Sequence, residues 1–524
     1  MACFKSHITI RDDFCVESKA QPCGIVIFGA SGDLTARKLI PALFHLFHRK
    51  LLPHNFFIVG CGRSSISSED FRDKIAAALV DENNKLVAND TPYFKEVFYD
   101  EILHFVNRCT YVIGEYQENE LYLHLSKELK VLNKKFGTGG NHIFYLATPP
   151  QLYNVIPRFL SENGLITESG ETSPWSRVVV EKPFGHDLAS AVRLDTELHE
   201  FLSEKQIYRI DHYLGKETVQ NILIFRFANA IFEPVWNRHY IDHVQITVSE
   251  SLGVGHRYGY YEQAGLMRDM FQNHMLQMMA LVAMEPPVSF EPDEVRDEKV
   301  KLLQSVRKLQ EDWIIRGQYT DGVCNGEAVC SYRKEKGVNP HSNRETFVAA
   351  RLFVDNWRWK DVPFYLRSGK RLPQKVSEIA VFFKKVPHSI FTPISSDDLA
   401  PNVLVFHVQP EQGVSLTIHA KRPGPKLCMS SLTMDFNYEE IFGADPPDAY
   451  QRLLLDCMLG DQTLFIRHDD MQVAWTLISP ILEKWEIDQT AETLYPYPAG
   501  TWGPEQSELL LKKDKRKWYS CEQE

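Results

Sequence analysis

The first residues after position 23 constrain this chain more tightly than any other stretch. Gly24-Ile25-Val26-Ile27-Phe28 is a short, continuous apolar run, and Gly29-Ala30-Ser31-Gly32-Asp33-Leu34-Thr35 follows it directly. Leu39, Ile40, Leu43, Phe44, Leu46 and Phe47 then recur at helical spacing. A buried strand, a glycine turn and an amphipathic helix in that order open a parallel sheet with crossover helices. Glycines at 29 and 32 remove the side chains that would hold a phosphate away from backbone N–H groups and from the helix N-terminus. Residues 29–35 therefore read as a pyrophosphate cradle of the dinucleotide-binding kind, against the plainer reading of a structural turn.

The second apolar run, Phe56-Phe57-Ile58-Val59, should end beside the ribose of such a ligand. An acidic residue there would accept hydrogen bonds from a free 2′-hydroxyl and repel a 2′-phosphate. This chain has Gly60-Cys61-Gly62-Arg63-Ser64-Ser65 instead. The Arg63 guanidinium suits a phosphate, so the sequence favours NADP over NAD.

Further apolar runs at 142–147 and 177–180, each followed by an amphipathic stretch, extend the parallel pattern to about residue 210. Beyond it, strand-like alternation appears at 244–248, 347–354, 379–383, 403–408 and 414–418 with few helices between the later ones, which favours an antiparallel sheet. A long helical stretch is expected over 262–284. The expected fold class is α/β plus α+β, with an N-terminal extension at 1–23, a nucleotide-binding domain at 24–210 and a larger domain at 211–524.

Composition narrows the function classes. With 58 Lys plus Arg against 69 Asp plus Glu, the net charge of −11 disfavours a dedicated nucleic-acid binder. No stretch approaches the ~18 apolar residues of a membrane span, and residues 1–23 lack an apolar signal core. The ten cysteines, Cys3, Cys15, Cys23, Cys61, Cys109, Cys324, Cys330, Cys428, Cys457 and Cys521, form no C-x-x-C pair and no zinc grouping. They read as free thiols in a reducing cytoplasm, with no metal expected. The basic run at 512–517 reads as a solvated tail, with an anionic docking site as the sharper alternative.

Three segments carry chemistry. Glu181-Lys182-Pro183-Phe184-Gly185 stands at the end of an expected strand, where open α/β sheets bind ligands. A Lys–Glu pair before a turn is the plainer reading. In Arg209-Ile210-Asp211-His212-Tyr213-Leu214-Gly215-Lys216-Glu217, a His, a Tyr and a Lys within five residues can converge on one phosphate, or line a solvated connector. In Arg268-Asp269-Met270-Phe271-Gln272-Asn273-His274, the histidine lies on or beside a stripe of Met267, Met270, Phe271, Met275 and Met278. A packed core histidine is the alternative there, and the methionines read as packing rather than as ligands.

The ordered set GASGDLT, EKPFG, RIDHYLGKE, RDMFQNH and RSGK (367–370) closely resembles the glucose-6-phosphate dehydrogenase family. The resemblance runs from about residue 24 to beyond 409, and more faintly through 448–453. It implies oxidation of the anomeric carbon of glucose 6-phosphate to a lactone with hydride transfer to NADP, the entry step of the pentose phosphate pathway. Carried over by motif, His274 is the general base and Asp211 the carboxylate that orients it. His212, Tyr213 and Lys216 form a phosphate clamp, and Lys182 bridges sugar and nicotinamide. Glu250 and Asp269 match carboxylates that bind sugar hydroxyls, and Lys370 and Lys375 match basic residues at the phosphate end. Gly29, Ala30, Ser31, Gly32, Asp33, Leu34, Thr35, Arg63, Tyr145 and Lys38 match the cofactor side. Ala36 stands where many members have Lys.

The fold implied is a Rossmann-like domain plus a larger α+β domain whose mainly antiparallel sheet serves a homodimer or homotetramer. Mammalian members hold a second, structural NADP. His407, Ser415, Thr417 and Trp502 stand at the apparently corresponding positions here, so no such site is expected. Two rival readings are another Rossmann-type sugar or polyol dehydrogenase, and a non-catalytic NADP-sensing protein.

Overall fold

The computed structural model describes residues 19–86, 92–167, 174–392, 394–443, 448–488 and 492–519. Cys3, Cys15, Cys521 and all but the last few residues of the expected N-terminal extension lie outside them. The chain divides into two compact units. One comprises Met1–Gly185, Ala189–Gly215 and Pro447–His468, and the other His186–Leu188, Lys216–Pro446 and Asp469–Glu524. The expected domain bounds were 24–210 and 211–524. The first unit runs a few residues further and takes in a segment from late in the chain.

In the first unit the strands are β1 (Cys23–Phe28), β2 (Phe56–Gly62), β3 (Cys109–Ile113), β4 (His142–Leu146), β5 (Ser176–Val180) and β6 (Ile207–Ile210). They pair in parallel in the order β6-β5-β4-β1-β2-β3. Every residue of β1, β2 and β4 is buried. Covering both faces of a parallel sheet demands unbroken apolar strands, which is why those runs stand out in the sequence. Strand order reverses between β1 and β4, and at such a switch point the strand ends open a crevice. A two-residue strand, Phe465–Ile466, closes the other edge antiparallel to β6.

The second unit holds β7 (Ile241–Ser249), β8 (Ile314–Thr320), the hairpin β9 (Gly322–Cys324) and β10 (Glu327–Val329), then β11 (Phe347–Phe353), β12 (Pro363–Gly369), β13 (Val376–Phe383), β14 (Val403–Gln409), β15 (Gly413–Lys421) and β16 (Met429–Asn437). With Phe465–Ile466 as β17, the last strand is β18 (Leu494–Pro498). The nine-stranded sheet runs β16-β15-β14-β13-β7-β12-β11-β8-β18. Only β7–β12 and β8–β18 pair in parallel, so the sheet is mainly antiparallel, as expected.

The long helix expected over 262–284 is not continuous. Gly265 takes φ +65° and ψ −179° at the end of the helix Tyr258–Leu266. A π-helical stretch, Met267–Met275, follows, and then the fully buried helix Leu276–Ala283. A Cβ on Gly265 would lie 2.2 Å from Glu345 Oε1, so the break depends on glycine for both its space and its φ. Apolar periodicity cannot reveal such a break, because buried residues stand on both sides of it, Tyr261 and Ala264 before and Leu266, Met267 and Met270 after. Among the described residues, no helix is long and apolar enough to cross a membrane.

Candidate active site

The crevice at the β1/β4 switch point is built by the glycine turn. The N–H groups of Gly29 and Ala30 donate to the Cys61 carbonyl at 3.0 and 3.2 Å, and the Gly32 N–H donates to the Gly29 carbonyl at 2.9 Å. Thr35 Oγ1 donates to the same Gly29 carbonyl at 3.1 Å. These bonds fix the turn. The amides of residues 33–35 belong to the first helical turn, whose N–H groups have no partner within the helix. Gly29 has φ +87°, and a Cβ there would lie 2.2 Å from the Ala147 carbonyl oxygen. Only glycine lets β1 and the turn approach β4 this closely.

A cavity of about 400 Å³ opens here, lined by Gly29, Ser31, Gly32, Arg63, Ser64, Glu115, Tyr116, Ala147, Thr148 and Pro149. Arg63 is exposed and follows β2 directly. Ser64 Oγ donates to Ser31 Oγ at 3.1 Å, tying the Arg63 segment to the turn. Ala30 is buried beneath the turn, and Leu34 is half-buried. Asp33 pairs with Arg37 on an exposed face. Lys38 pairs with Asp448 at 2.8 Å, both half-exposed, and Asp448 also caps the helix Ala449–Leu459.

The carboxyl ends of β5 and β6 carry the next group. Val180 pairs with Arg209, so Glu181-Lys182 and Asp211-His212 leave the sheet at one edge. The Lys182–Pro183 bond is cis. Tyr145, fully buried on β4, donates to Glu181 Oε1 at 2.5 Å. Burial raises the Glu181 carboxyl above the ordinary carboxylate range, against the pull of hydrogen bonds from Tyr145 and Tyr450 and the charge of Lys182. Tyr145 thus anchors Glu181 next to Lys182. Asp211 is buried; its Oδ1 accepts from the Tyr213 N–H at 2.9 Å and its carbonyl from the Leu214 N–H at 3.0 Å. Those bonds shape the turn that presents His212, half-buried, and Tyr213, buried.

In the second unit, sheet register gathers the basic and acidic residues. Ser249, the last residue of β7, pairs with Gly369 on one side and Val376 on the other. Glu250, Lys370 and Lys375 follow or precede those three residues, so they meet at one end of the sheet. Lys370 is buried and pairs with the Glu250 carboxylate. Its ammonium lies 5.7 Å from the Tyr261 ring centre. Lys375 is exposed and lines a cavity of about 1230 Å³, beside His243, His407 and Arg516.

The π-helical stretch packs on β12 and carries Asp269 and His274, both buried. Its hydrogen bonds run from i to i+5, so these two residues stand one turn apart. Asp269 accepts from the Tyr260 hydroxyl at 3.2 Å, and Arg257 lies 4.0 Å away. Glu345 holds the segment's entry, accepting the Met267 N–H at 3.1 Å. Lys216 is buried and caps the helix Glu217–Phe227.

Several residues of these sites escape the sequence reading. Tyr450, Tyr116 and Glu345 reach their partners across long separations, and Tyr260 reaches Asp269 across the Gly265 break. Glu181 alone had a signal, its place in the E-K-P segment.

With the geometry in hand, comparison with known proteins is direct. Residues 26–221 match the family described as glucose-6-phosphate dehydrogenase, NAD binding domain, and residues 223–519 match its C-terminal domain. The chain is 45% identical over 504 residues to a glucose-6-phosphate 1-dehydrogenase of Aggregatibacter actinomycetemcomitans, covering 95% of this chain and 98% of that protein. It is 41% identical over 501 residues to that of Bacillus subtilis (strain 168), with coverages of 95% and 98%. A solved glucose-6-phosphate dehydrogenase in complex with its substrate glucose 6-phosphate superposes with a TM-score of 0.86 at 35% identity, covering 96% of this chain and 100% of that one. The Mycobacterium avium enzyme superposes at 0.79 with 32% identity, covering 96% and 99%. Along nearly its whole length, then, the chain belongs to the glucose-6-phosphate dehydrogenase family.

Proposed function

We propose that this chain oxidises glucose 6-phosphate to 6-phospho-D-glucono-1,5-lactone with NADP as the hydride acceptor, the first step of the oxidative pentose phosphate pathway. The carrying observation is the near full-length likeness to these dehydrogenases, one of them solved with its substrate. The rival readings, another sugar dehydrogenase or a non-catalytic sensor, lose ground to it.

The residues present fit the cofactor. Glycine at 29 clears the space a Cβ would fill, and Arg63 with Ser64 lines the adjoining cavity, where a 2′-phosphate would find a cation. NADP, when bound, supplies the nicotinamide that accepts the hydride.

The protein's own part is positioning and proton transfer. His212, Tyr213 and Lys216 offer two ring or phenol donors and one cation to the sugar phosphate, with Lys370 and Lys375 adding charge at that end. Lys182, Glu250 and Asp269 orient the sugar hydroxyls. As C1 loses hydride, its hydroxyl must lose a proton, and His274 takes it through a ring nitrogen. A neutral imidazole suits this near neutral pH. Asp211 is the proposed carboxylate that fixes the ring's tautomer and stabilises the imidazolium.

The chain forms a homodimer or homotetramer in this reading. Support comes from β16, an edge strand that exposes Leu432, Met434 and Phe436, an apolar edge that proteins usually cover. A cytoplasmic setting accords with the free thiols of the described cysteines. A second NADP is not part of this reading. His407 is engaged with Ser415 at 2.6 Å, Thr417 with Thr433 at 3.1 Å, and Trp502 stacks under Arg367 at 4.6 Å. Equilibrium dialysis finding two tightly bound NADP per chain would overturn that.

The decisive experiment is a substrate and cofactor panel read as NADPH absorbance. Glucose 6-phosphate with NADP should be turned over far faster than free glucose or inositol, because the clamp residues need an anionic partner. Equal rates on unphosphorylated sugars would defeat the proposal.

A further inference from the structure

A second cluster of ionisable groups lies at the β6–β17 edge of the first unit, and the proposed chemistry does not use it. His199 ends the helix Leu188–His199, Glu204 opens the short turn before β6, and His468 stands two residues past β17. One donor atom from each lies within 4.8 Å of the other two. His199 Nε2 is 3.1 Å and His468 Nδ1 is 3.6 Å from the same carboxylate oxygen, Glu204 Oε2.

The protonation pattern is what makes this cluster unusual. His199 Nδ1 lies 2.8 Å from the Asp195 carbonyl, which can only accept, so the ring proton sits on Nδ1. Were the ring neutral, Nε2 would point a lone pair at Glu204. The other carboxylate oxygen, Oε1, is already occupied by Arg209 Nη1 at 2.7 Å and the His468 N–H at 3.3 Å. Oε2 and His468 Nδ1 are shielded from solvent and make no hydrogen bond of acceptable geometry. With both imidazoles neutral and His468 carrying its proton on Nε2, three lone pairs would converge on one point, where a cation would satisfy them all. A backbone carbonyl behind one imidazole and an arginine behind the carboxylate are the usual outer supports of a metal ligand set.

The dimensions and charges agree. Tetrahedral zinc with ligand bonds of ~2.0–2.1 Å sets ligand–ligand edges of ~3.3 Å, and the two edges at Glu204 fall on either side of that value. Asp195 pairs with Arg209 at 2.6 Å, so the pocket's local charge with neutral imidazoles is the single negative charge of Glu204. Two nitrogen donors disfavour magnesium and calcium and suit zinc.

We propose that His199, Glu204 and His468 form a structural site for a divalent transition metal of the Zn²⁺ type, with water completing its coordination. Its role follows from position. β17 contributes two residue pairs to the sheet, Phe465↔Ile210 and Ile466↔Arg209, too few to hold a late segment firmly. A metal across His468, Glu204 and His199 fastens that segment to β6, whose end leads into residues 211–213.

The full chain, stripped with a chelator, is titrated with Zn²⁺ by calorimetry, with Mg²⁺ as control. Wild type should bind one more Zn²⁺ per chain than His468→Gln or His199→Gln, or bind it about 10–100-fold more tightly. Zn²⁺ should raise the thermal midpoint of wild type and leave those of the variants unmoved. Equal stoichiometry, affinity and midpoints in all three proteins would reduce the cluster to a protonated His–Glu pair and overturn the proposal. Should a variant fail to fold, the wild type decides alone. Zn²⁺ should protect His199 and His468 from diethyl pyrocarbonate, mapped by mass spectrometry, and undiminished modification at both would overturn the site.

Discussion

His274 and Arg63 show how much a single side chain is asked to do. His274 is buried on the π-helical stretch one turn from Asp269, and no other imidazole stands on that segment. Replacing it by Asn keeps hydrogen-bonding ability and removes the base. Turnover should fall about 10²–10⁴-fold while the dissociation constant for glucose 6-phosphate, read by isothermal titration, stays near wild type. Near-normal turnover would move the base elsewhere. Arg63→Ala removes one charge-assisted contact, of order 1.5–3 kcal/mol, so the KM for NADP should rise about 10–100-fold and that for NAD should barely change. Equal losses would argue against a 2′-phosphate contact. Arg63 could be read from the sequence because the end of β2 is a fixed place in this fold and an acid is absent there. The Tyr145–Glu181–Tyr450 arrangement could not, because Tyr450 arrives from a segment roughly 270 residues later, and the faint resemblance at 448–453 says nothing of which strand it meets.

Two elements carry predictions of their own. The Gly265 break sets the entry of the segment that bears Asp269 and His274. Gly265→Ala forces a Cβ against Glu345 Oε1 at φ +65°, with a strain of about 1–3 kcal/mol. The variant should lose thermal stability and, more tellingly, turnover, since the segment must shift; unchanged kinetics would mean that the break does not position the chemistry. At the start of β4, His142 packs against Phe57 and Phe144 and contacts Asn133 Oδ1 at 3.2 Å.

Burial lowers the His142 pKa from 6.5 to about 4. Between those values the unfolded chain binds more protons than the folded one, so stability is full above pH 6.5 and declines as pH falls toward 4. A shift of that size is on the order of 3 kcal/mol. His142→Gln should flatten the pH dependence of the urea midpoint across that window, and an unchanged slope would contradict a neutral buried ring. Parallel strands such as β1, β2 and β4 were legible as apolar runs because both faces are covered. Strands β12 and β16 were not recognised: β12 mixes apolar residues with Arg367 and Ser368, and β16 exposes much of its length.

For the whole molecule, the exposed row on β16 supports the proposed assembly. Light scattering after gel filtration should give twice or four times the 60.5 kDa chain mass. Leu432→Glu, which puts a charge on a half-exposed position of that edge, should shift the population toward monomer without unfolding it. A mass unaffected by the substitution would place the interface on another face. The glycine turn, the apolar runs of the parallel strands and the motif set were legible in local chemistry: glycines where the turn must pack against β4, and apolar runs where a sheet is covered twice. Tertiary structure alone decided that residues from about 448 to 468 return to the first unit, that Ser249 aligns Glu250, Lys370 and Lys375, and that His199, Glu204 and His468 converge. Such encounters depend on strand register and chain return over hundreds of residues, and no periodicity within a short window encodes them.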